Sequence, residues 1–209
     1  MGEIVDDACE GAVLDSLDSG NTAVRPLRDA GISYRDGAEQ RLLDIVEAST
    51  DRSSTSDELH WAATDWPTTY SLSRSRPNIL RGLDIPATAK VLEIGCGCGP
   101  LTRYLGETCA RVDAVEPVEA RAAVARARTA DLPSVEVFVG TVEDIPADPI
   151  YDVVVVVGVL EYVGSGSADA SPYVEFLRQC QERLVDGGAL ILAIDNALGV
   201  KYLAGVAQW

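Results

Sequence analysis

The sequence predicts an α/β protein built on a doubly wound, mostly parallel sheet, with a helical lid before the sheet. Three observations support this fold class. Beyond Pro86, short runs rich in β-branched residues alternate with segments of helical periodicity, which is the pattern of consecutive βαβ units. A loop with three glycines follows the first of these runs and opens a helix. The longest apolar run, Val153–Leu160, is typical of a strand that is buried on both faces.

The predicted core contains five strands and three helices. The strands are Lys90–Ile94, Arg111–Glu116, Val135–Gly140, Tyr151–Val157 and Ala189–Asp195. The helices lie near Pro100–Glu107, Val118–Ala130 and Pro172–Leu184, and the connection Thr141–Ile150 is expected to be mostly loop.

The chain before the sheet divides by composition. Residues 1–36 are acidic and weakly periodic, which indicates loop or frayed helix. Gly37–Ser49 has apolar residues at helical spacing and is predicted to be a docking helix, and the polar stretch Ser49–Asp57 is predicted to be a linker or mobile loop. The aromatic-rich residues 58–85 are predicted to form a lid that ends in a short helix, Pro77–Leu83. We therefore expect three parts, with bounds 1–57, 58–85 and 86–209.

The charge balance limits the partners. Seventeen Lys and Arg face thirty-three Asp and Glu, and a net charge of −16 repels phosphate backbones and anionic lipid headgroups. The longest apolar run is also far shorter than the roughly 18 residues that a membrane span requires. The composition therefore argues against nucleic acid and membrane as partners.

The five cysteines predict a reducing cytoplasm, because their number is odd and no C-x-x-C pair occurs. Cys96 and Cys98 lie two apart and are either a redox or metal pair or small residues that fit a tight turn. Because metal sites need further ligands and His60 is the only histidine, we expect the tight turn and no metal.

The stretch from Glu93 to Pro100, EIGCGCGP, carries most of the information about function. Glycines at this spacing allow positive φ and let a ligand lie against bare backbone, with a helix N-terminus facing it. A nucleotide-like ligand is therefore implied. The fingerprint of dinucleotide-binding proteins would place its third glycine at position 100, where this chain has proline, so an NAD-dependent oxidoreductase is disfavoured.

An acidic residue before this loop and another, Glu116, at the end of the second strand complete a pattern that resembles class I S-adenosylmethionine-dependent methyltransferases over residues 83–205. The resemblance implies S-adenosylmethionine as cofactor, a Rossmann-like sheet of order 3-2-1-4-5, and a ribose-binding role for Glu116. The alternative for Glu116 is a charge that favours the dipole of the helix beginning near Val118. The residues implied in cofactor binding are Glu93, Gly95, Cys96, Gly97, Gly99, Glu116, Pro117, Thr141, Val142, Gly158, Tyr70 and Arg76.

Several of these assignments carry a specific expectation. Glu93 is expected to support the loop and the ammonium end of the cofactor. Thr141 stands where relatives often have an aspartate beside the adenine ring. Tyr70 and Arg76 could close over the carboxylate end, although Trp66 and Tyr70 could instead pack the lid onto the sheet.

Methyl transfer to a hydroxyl needs a base within hydrogen-bond reach. The candidates are His60, Glu161, Tyr162 and Asp195. His60 is the one side chain whose ordinary pKa lies near neutrality, but a lone histidine is more often a surface or packing residue. The other three follow predicted strands, at the sheet edge where doubly wound folds bind ligands.

A narrower resemblance, to methyltransferase modules of bacterial polysaccharide and glycosyltransferase proteins, is carried by Asp65–Ser73 and Asp195–Gly205. It implies O-methylation of a glycan or small-molecule hydroxyl. The family sheet has seven strands, and because this chain ends fourteen residues past Asp195 we expect the last two to be missing. Either the chain is a fragment of a larger protein, in which case it could be a cofactor-binding but catalytically incomplete module, or the exposed sheet edge is covered by a partner such as a second copy or by the N-terminal segment. The fragment is the favoured interpretation.

Overall fold

All six strands in the described part of the protein join one sheet, and every pair in it is parallel. The computed structural model describes residues 37–163 and 171–194, together with the backbone of residues 25–26. The strands are β1 (Arg25–Pro26), β2 (Lys90–Ile94), β3 (Arg111–Glu116), β4 (Val135–Val139), β5 (Tyr151–Val157) and β6 (Leu184–Ala193). Their order is β1-β4-β3-β2-β5-β6, so the five long strands confirm the predicted order 3-2-1-4-5.

Helices cover both faces of this sheet. They are α1 (Glu39–Ala48), α2 (Asp57–Ala62), α3 (Trp66–Leu72), α4 (Asn78–Arg81), α5 (Pro100–Thr108), α6 (Glu119–Arg128) and α7 (Ser171–Glu182), with 3₁₀ turns at Val142–Asp144 and Leu160–Tyr162. Successive strand residues point to opposite faces. Val91 packs in the cluster that contains α5 and α6, whereas its neighbour Leu92 packs in the cluster that contains α7. The fold is therefore doubly wound, as predicted.

The helices α1, α2 and α3 form a third apolar cluster with α6. Leu42 and Val46 of α1 are fully buried there, with Val124 of α6 and Cys98 of the glycine loop. The predicted docking helix is thus confirmed, and it docks on the helix that follows β3.

The polar stretch 49–56 is irregular, but it is packed and not a free spacer. The Arg52 guanidinium donates to the Ala127 carbonyl over 3.2 Å, and the Ser54 N–H donates to the Glu107 carboxylate over 3.0 Å. Ser54 and Ser56 are buried. The division of the chain at residues 57 and 85 stays a prediction.

Two expectations about the elements are corrected, and the predicted helical lid is described more fully. β6 begins at Leu184 rather than Ala189: Leu184 pairs with Tyr151 and Ala189 with Val153, and the residues between them, with Gly187 at φ +80°, form an irregularity in the pairing with β5. Residues 25–26, expected as loop or frayed helix, form the edge strand β1 beside β4. The lid holds α2 and α3 before the expected short helix, α4; local caps start both, with Ser56 accepting from the Leu59 N–H and Asp65 from the Thr68 N–H.

Candidate functional site

The glycine loop lies between the end of β2 and the start of α5, at the carboxyl edge of the sheet. Gly95, Gly97 and Gly99 all have positive φ, at +74°, +55° and +78°. The N–H groups of Gly95 and Cys96 both donate to the Val115 carbonyl of β3, over 2.8 and 3.1 Å. The loop is therefore held across the top of β3 and turns directly into the helix.

The three glycines have different surroundings, which the sequence did not reveal. A Cβ on Gly95 would collide with the Val159 side chain, and a Cβ on Gly99 would lie 2.8 Å from the Ala125 Cα of α6. A Cβ on Gly97 would meet nothing within 4 Å. The expectation of bare backbone open to a ligand is therefore corrected for the Cβ sides of Gly95 and Gly99, which are filled by packing, and it fits Gly97.

Glu116 ends β3 directly below this loop. Its carboxylate accepts from the Gly97 N–H over 2.9 Å and from the Val118 N–H, at the start of α6, over 3.0 Å. The side chain is buried, and burial raises the pKa of Glu116, against the effect of the two N–H donors and of the nearby Arg121 charge. The acid therefore contacts the N-terminus of α6, as one of the two predicted roles requires, while its ribose-binding role stays a prediction. Pro117, half-buried, links the two.

Glu93 is the second buried acid, in β2 just before the loop. Its Oε2 atom is buried and has no hydrogen-bond partner in the described part of the chain. Burial raises the pKa of Glu93 to about 8; the Glu116 carboxylate adds to the rise, while the Thr102 hydroxyl and the Arg76 charge oppose it. A buried acid with an unsatisfied oxygen has room for a cationic or donating ligand group.

The two loop cysteines fit the tight-turn interpretation. Both are buried and neither forms a disulfide. Burial raises the pKa of the Cys96 thiol well above its usual range, and the neighbouring acids Glu93 and Glu116 add to this, so the reactive thiolate is disfavoured. Within the described residues, no cluster of His, Cys, Asp or Glu has the makings of a metal site.

Tyr70 and Arg76 of the lid reach the same edge of the sheet. The Arg76 guanidinium donates to the Tyr70 hydroxyl and lies 4.2 Å from the centre of its ring. The Tyr70 hydroxyl would be 3.6 Å from a Cβ on Gly158, which ends β5 at φ +69°. Arg76 acts electrostatically on Glu93, and its Nε is buried without a partner among the described residues. The lid therefore brings a cation toward Glu93 without forming an ion pair with it.

The end of β4 supplies a fourth group. Thr141 caps the 3₁₀ turn: its N–H and its hydroxyl lie 2.8 and 3.1 Å from the Asp144 carboxylate. Val142 is buried beside them. The hydroxyl that replaces the usual aspartate is thus bonded to an aspartate three residues later, a contact that the T-x-x-D spacing of a capping box could have indicated.

The structure separates the four candidate bases. Glu161 and Tyr162 lie on the 3₁₀ turn after Gly158, both exposed, and Tyr162 is 66% exposed. His60 lies in α2, where its described contacts are with Ser56, Ala63 and the Trp61 ring, so none of them links it to the glycine loop. Asp195 lies outside the described residues.

The sheet order, the glycine loop after the central strand and the buried acid at the end of the next strand define the fold of the class I S-adenosylmethionine-dependent methyltransferases. Residues 92–190 match the family model described as a methyltransferase domain. This part of the chain is therefore similar to methyltransferase domains, and its fold is that of the class whose methyl donor is S-adenosylmethionine. The fold predicted from the sequence is confirmed, and the match supports the predicted class; the narrower resemblance to polysaccharide-related modules stays a prediction.

The proteins similar to the chain include one curated relative and two solved structures. The ubiquinone biosynthesis O-methyltransferase of Xanthomonas axonopodis pv. citri is 30% identical over 131 residues, which are 57% of this chain and 52% of the relative. The chain thus spans about half the length of the curated relative it matches.

The solved structures share the fold. The DhpI complex with S-adenosylhomocysteine has a TM-score of 0.51 at 22% identity and covers 78% of this chain and 72% of its own. Phosphoethanolamine N-methyltransferase 1 of Haemonchus contortus has a TM-score of 0.50 at 19% identity, over 73% of this chain and 30% of its own.

Proposed function

We propose that the chain binds S-adenosylmethionine at the carboxyl edge of β2 and β3 and transfers its methyl group to a hydroxyl of a glycan or small molecule. The observation that carries this proposal is a pair of buried carboxylates that act on each other at the loop: Glu116 accepts from the N–H of Gly97, the one loop glycine with open space, and Glu93 has an unpartnered Oε2. S-adenosylmethionine offers a group for each feature: a ribose diol, an ammonium and a carboxylate.

The residues present fit that molecule. The Glu116 carboxylate accepts two backbone N–H bonds and, as an acceptor of about four bonds, can take two more from a ribose diol. The unpartnered Glu93 Oε2 suits the ammonium, and the unpartnered Arg76 Nε suits the carboxylate. Thr141 and Val142 would flank the adenine.

The bound cofactor would supply an electrophilic methyl group for in-line displacement. The contribution of the chain is alignment: the loop fixes one reactant, while Tyr70 and Gly158 bound the space through which the acceptor approaches. A hydroxyl acceptor must lose its proton near the transition state. Glu161, exposed on the 3₁₀ turn after Gly158, is our first candidate to receive it, and His60, Tyr162 and Asp195 stay further candidates.

The lid supports a ring-shaped acceptor. Trp66 is 69% exposed, and its ring lies 6.1 Å from the Tyr70 ring, so the face of α3 beside the cleft carries two aromatic surfaces. Aromatic rings of this kind bind the apolar faces of sugars and of planar molecules. The net charge of −16 disfavours strongly anionic acceptors. The four described cysteines are free, which suits the proposed cytoplasmic location, and no described helix has the length and apolarity of a membrane span.

The second candidate is a cofactor-binding module that is catalytically incomplete by itself. The observation in its favour is the coverage of only about half of the curated relative. In that case, a further domain or a second copy at the sheet edge would complete the acceptor site.

Isothermal titration with S-adenosylhomocysteine tests the cofactor site. We expect wild type and the exposed control Glu47→Ala to bind alike, and Glu116→Ala and Gly97→Arg to lose binding. Unchanged binding in both site variants would refute the proposal. Turnover is then followed as S-adenosylhomocysteine released from S-adenosylmethionine with a panel of methyl glycosides and catechols: release supports an enzyme, and binding without release supports the incomplete module.

A further inference from the structure

Arg128 is a buried charged side chain at the point where α6 meets the lid helix α3. It lies in the last turn of α6, is 1% exposed, and is the largest of the fully buried side chains in the described part of the chain. Burial, together with the neighbouring Arg103 charge, lowers the pKa of Arg128 to about 10. In the described part of the chain it forms no ion pair, and its Nε has no hydrogen-bond partner. An unpaired buried charge opposes folding, so packing alone does not account for it.

The guanidinium of Arg128 is attached to the lid. Its Nη1 donates to the Ser71 carbonyl of α3 over 2.5 Å. The other end of the residue is fixed to the core, since the Arg128 carbonyl accepts from the Arg103 guanidinium over 3.0 Å. Arg103 in turn pairs with Glu107 on its own helix, α5. Arg128 thus connects α5 and α6 to α3 through hydrogen bonds at both ends of the residue.

The bond is made one residue from a site residue. Ser71 follows Tyr70, whose hydroxyl stands over Gly158 and holds the Arg76 guanidinium. The N-terminal end of α3 is held separately, because the Asp65 carboxylate that caps it also pairs with Arg41 of α1. The bond from Arg128 therefore fixes the C-terminal half of α3, from which the Tyr70 hydroxyl reaches Gly158 and beyond which Arg76 acts on Glu93.

We propose that Arg128 is a positioning residue for the cofactor site: it holds α3 at the height at which Tyr70 and Arg76 close over the amino-acid end of the ligand. This inference rests on the proposed function. The inference gives the guanidinium a role that an apolar side chain of similar size cannot fill, because a long side chain with a hydrogen-bond donor at its end is needed to connect α6 to the Ser71 carbonyl.

The inference separates stability from affinity. Replacing a buried, unpaired charge by an apolar side chain of similar length is often neutral or stabilising. Arg128→Met should therefore keep or raise the melting temperature, yet weaken S-adenosylhomocysteine binding at least fivefold. Arg126→Met makes the same chemical change two residues earlier, at a side chain that donates to the Val135 carbonyl at the start of β4 rather than to the lid, and should bind as wild type.

The experiment combines titration calorimetry with S-adenosylhomocysteine, thermal melting, and hydrogen exchange of α3 and of β2 to β5. The expected result for Arg128→Met is weaker binding together with faster exchange confined to α3. If Arg128→Met binds as wild type, or if its melting temperature falls and the sheet also exchanges faster, the inference is wrong and Arg128 is structural. Wild type that fails to bind the ligand refutes the proposed function instead.

Arg128→Lys decides the matter should the methionine variant not fold. The lysine keeps a charged donor, so α3 should stay protected and binding should remain within threefold of wild type. A folded lysine variant in which α3 exchanges freely while affinity stays at the wild-type value would overturn the inference, because affinity would then not depend on the attachment of α3.

Discussion

Changing either of two glycines in the same loop to alanine should have different consequences. Gly99→Ala should lower stability the more, and Gly97→Ala should weaken ligand binding. Gly97 and Gly99 both have positive φ, at +55° and +78°, which costs an alanine roughly 1–2 kcal/mol at either position. Only Gly99 faces a neighbour: its new Cβ would lie 2.8 Å from the Ala125 Cα and 2.9 Å from the Ala125 Cβ. Because backbone atoms cannot turn aside, this overpacking adds about 1–3 kcal/mol.

The expected losses of unfolding free energy are therefore about 2–5 kcal/mol for Gly99→Ala and about 1–2 kcal/mol for Gly97→Ala. For a chain of this length, each kcal/mol lowers the melting temperature by about 2–4 °C. Gly187→Ala is the matched control, because Gly187 has φ +80°, also meets nothing within 4 Å, and lies in the edge strand β6, which β5 separates from β2.

The loss of ligand affinity should not follow the order of the losses in stability. The alanine methyl at position 97 enters the open space where the ligand is proposed to lie, so Gly97→Ala should weaken S-adenosylhomocysteine binding about tenfold, or 1.4 kcal/mol. Gly187→Ala should melt like Gly97→Ala and bind like wild type. The assays are differential scanning fluorimetry and titration calorimetry on all three variants. The reasoning is refuted if Gly97→Ala and Gly187→Ala bind equally, because the open side of Gly97 would then not face the ligand.

Three further predictions address charge, stability and the acceptor. Burial holds the pKa of Glu93 near 8, above its ordinary 4.5, so this carboxyl lowers stability progressively as pH rises from about 4.5 to 8; Glu93→Gln should remove that pH dependence. Because a ligand ammonium favours the charged carboxylate, binding of S-adenosylhomocysteine at pH 7 should release up to one proton in wild type and none from this residue in Glu93→Gln. Calorimetry in phosphate and in Tris buffer measures the protons released. Equal release by the two proteins would contradict the proposed role of Glu93. Tyr151→Phe removes a 2.8 Å bond to the buried Asp113 and should cost about 1–3 kcal/mol in urea unfolding without changing ligand affinity, which a weakened affinity would contradict. Trp66→Ala should reduce turnover with any glycoside acceptor found, whereas Trp61→Ala, equally exposed in α2 at 74%, should not; equal losses would remove α3 from the acceptor site.

The sequence predicted the elements that depend on local pattern. β2, β3 and β5 have the predicted bounds, because runs of β-branched residues with turn residues at both ends define a buried strand. The early start of β6 was missed because Asp186-Gly187-Gly188 resembles a turn, and only the pairing with β5 shows that the strand continues through it. The two-residue β1 has no pattern of its own, and its position depends entirely on the edge of β4.

The site shows the same division between local and tertiary information. The loop and the acid Glu116 could be predicted because their spacing along the chain is itself the signal. What could not be predicted is which side of each glycine is filled, since Val159 and Ala125 reach the loop from distant parts of the chain. Arg128 was missed for a related reason: an arginine near the end of an amphipathic helix is usually exposed, and nothing local indicates that the lid buries it.

The electrostatics of the proposed site follow from what methyl transfer does to charge. Transfer from a sulfonium removes a positive charge, so a strongly negative pocket would stabilise the reactants more than the transition state. The chain places two buried acids at the loop but limits the field that they produce. Burial keeps Glu93 protonated near neutral pH until a cationic group pairs with it, and the N–H groups of Gly97 and Val118 donate to the Glu116 carboxylate and offset part of its charge. The two acids can thus bind the ribose and the ammonium of a cationic ligand without opposing the loss of its sulfonium charge. This arrangement requires that Glu93 be neutral before the ligand binds and paired with the ammonium afterwards.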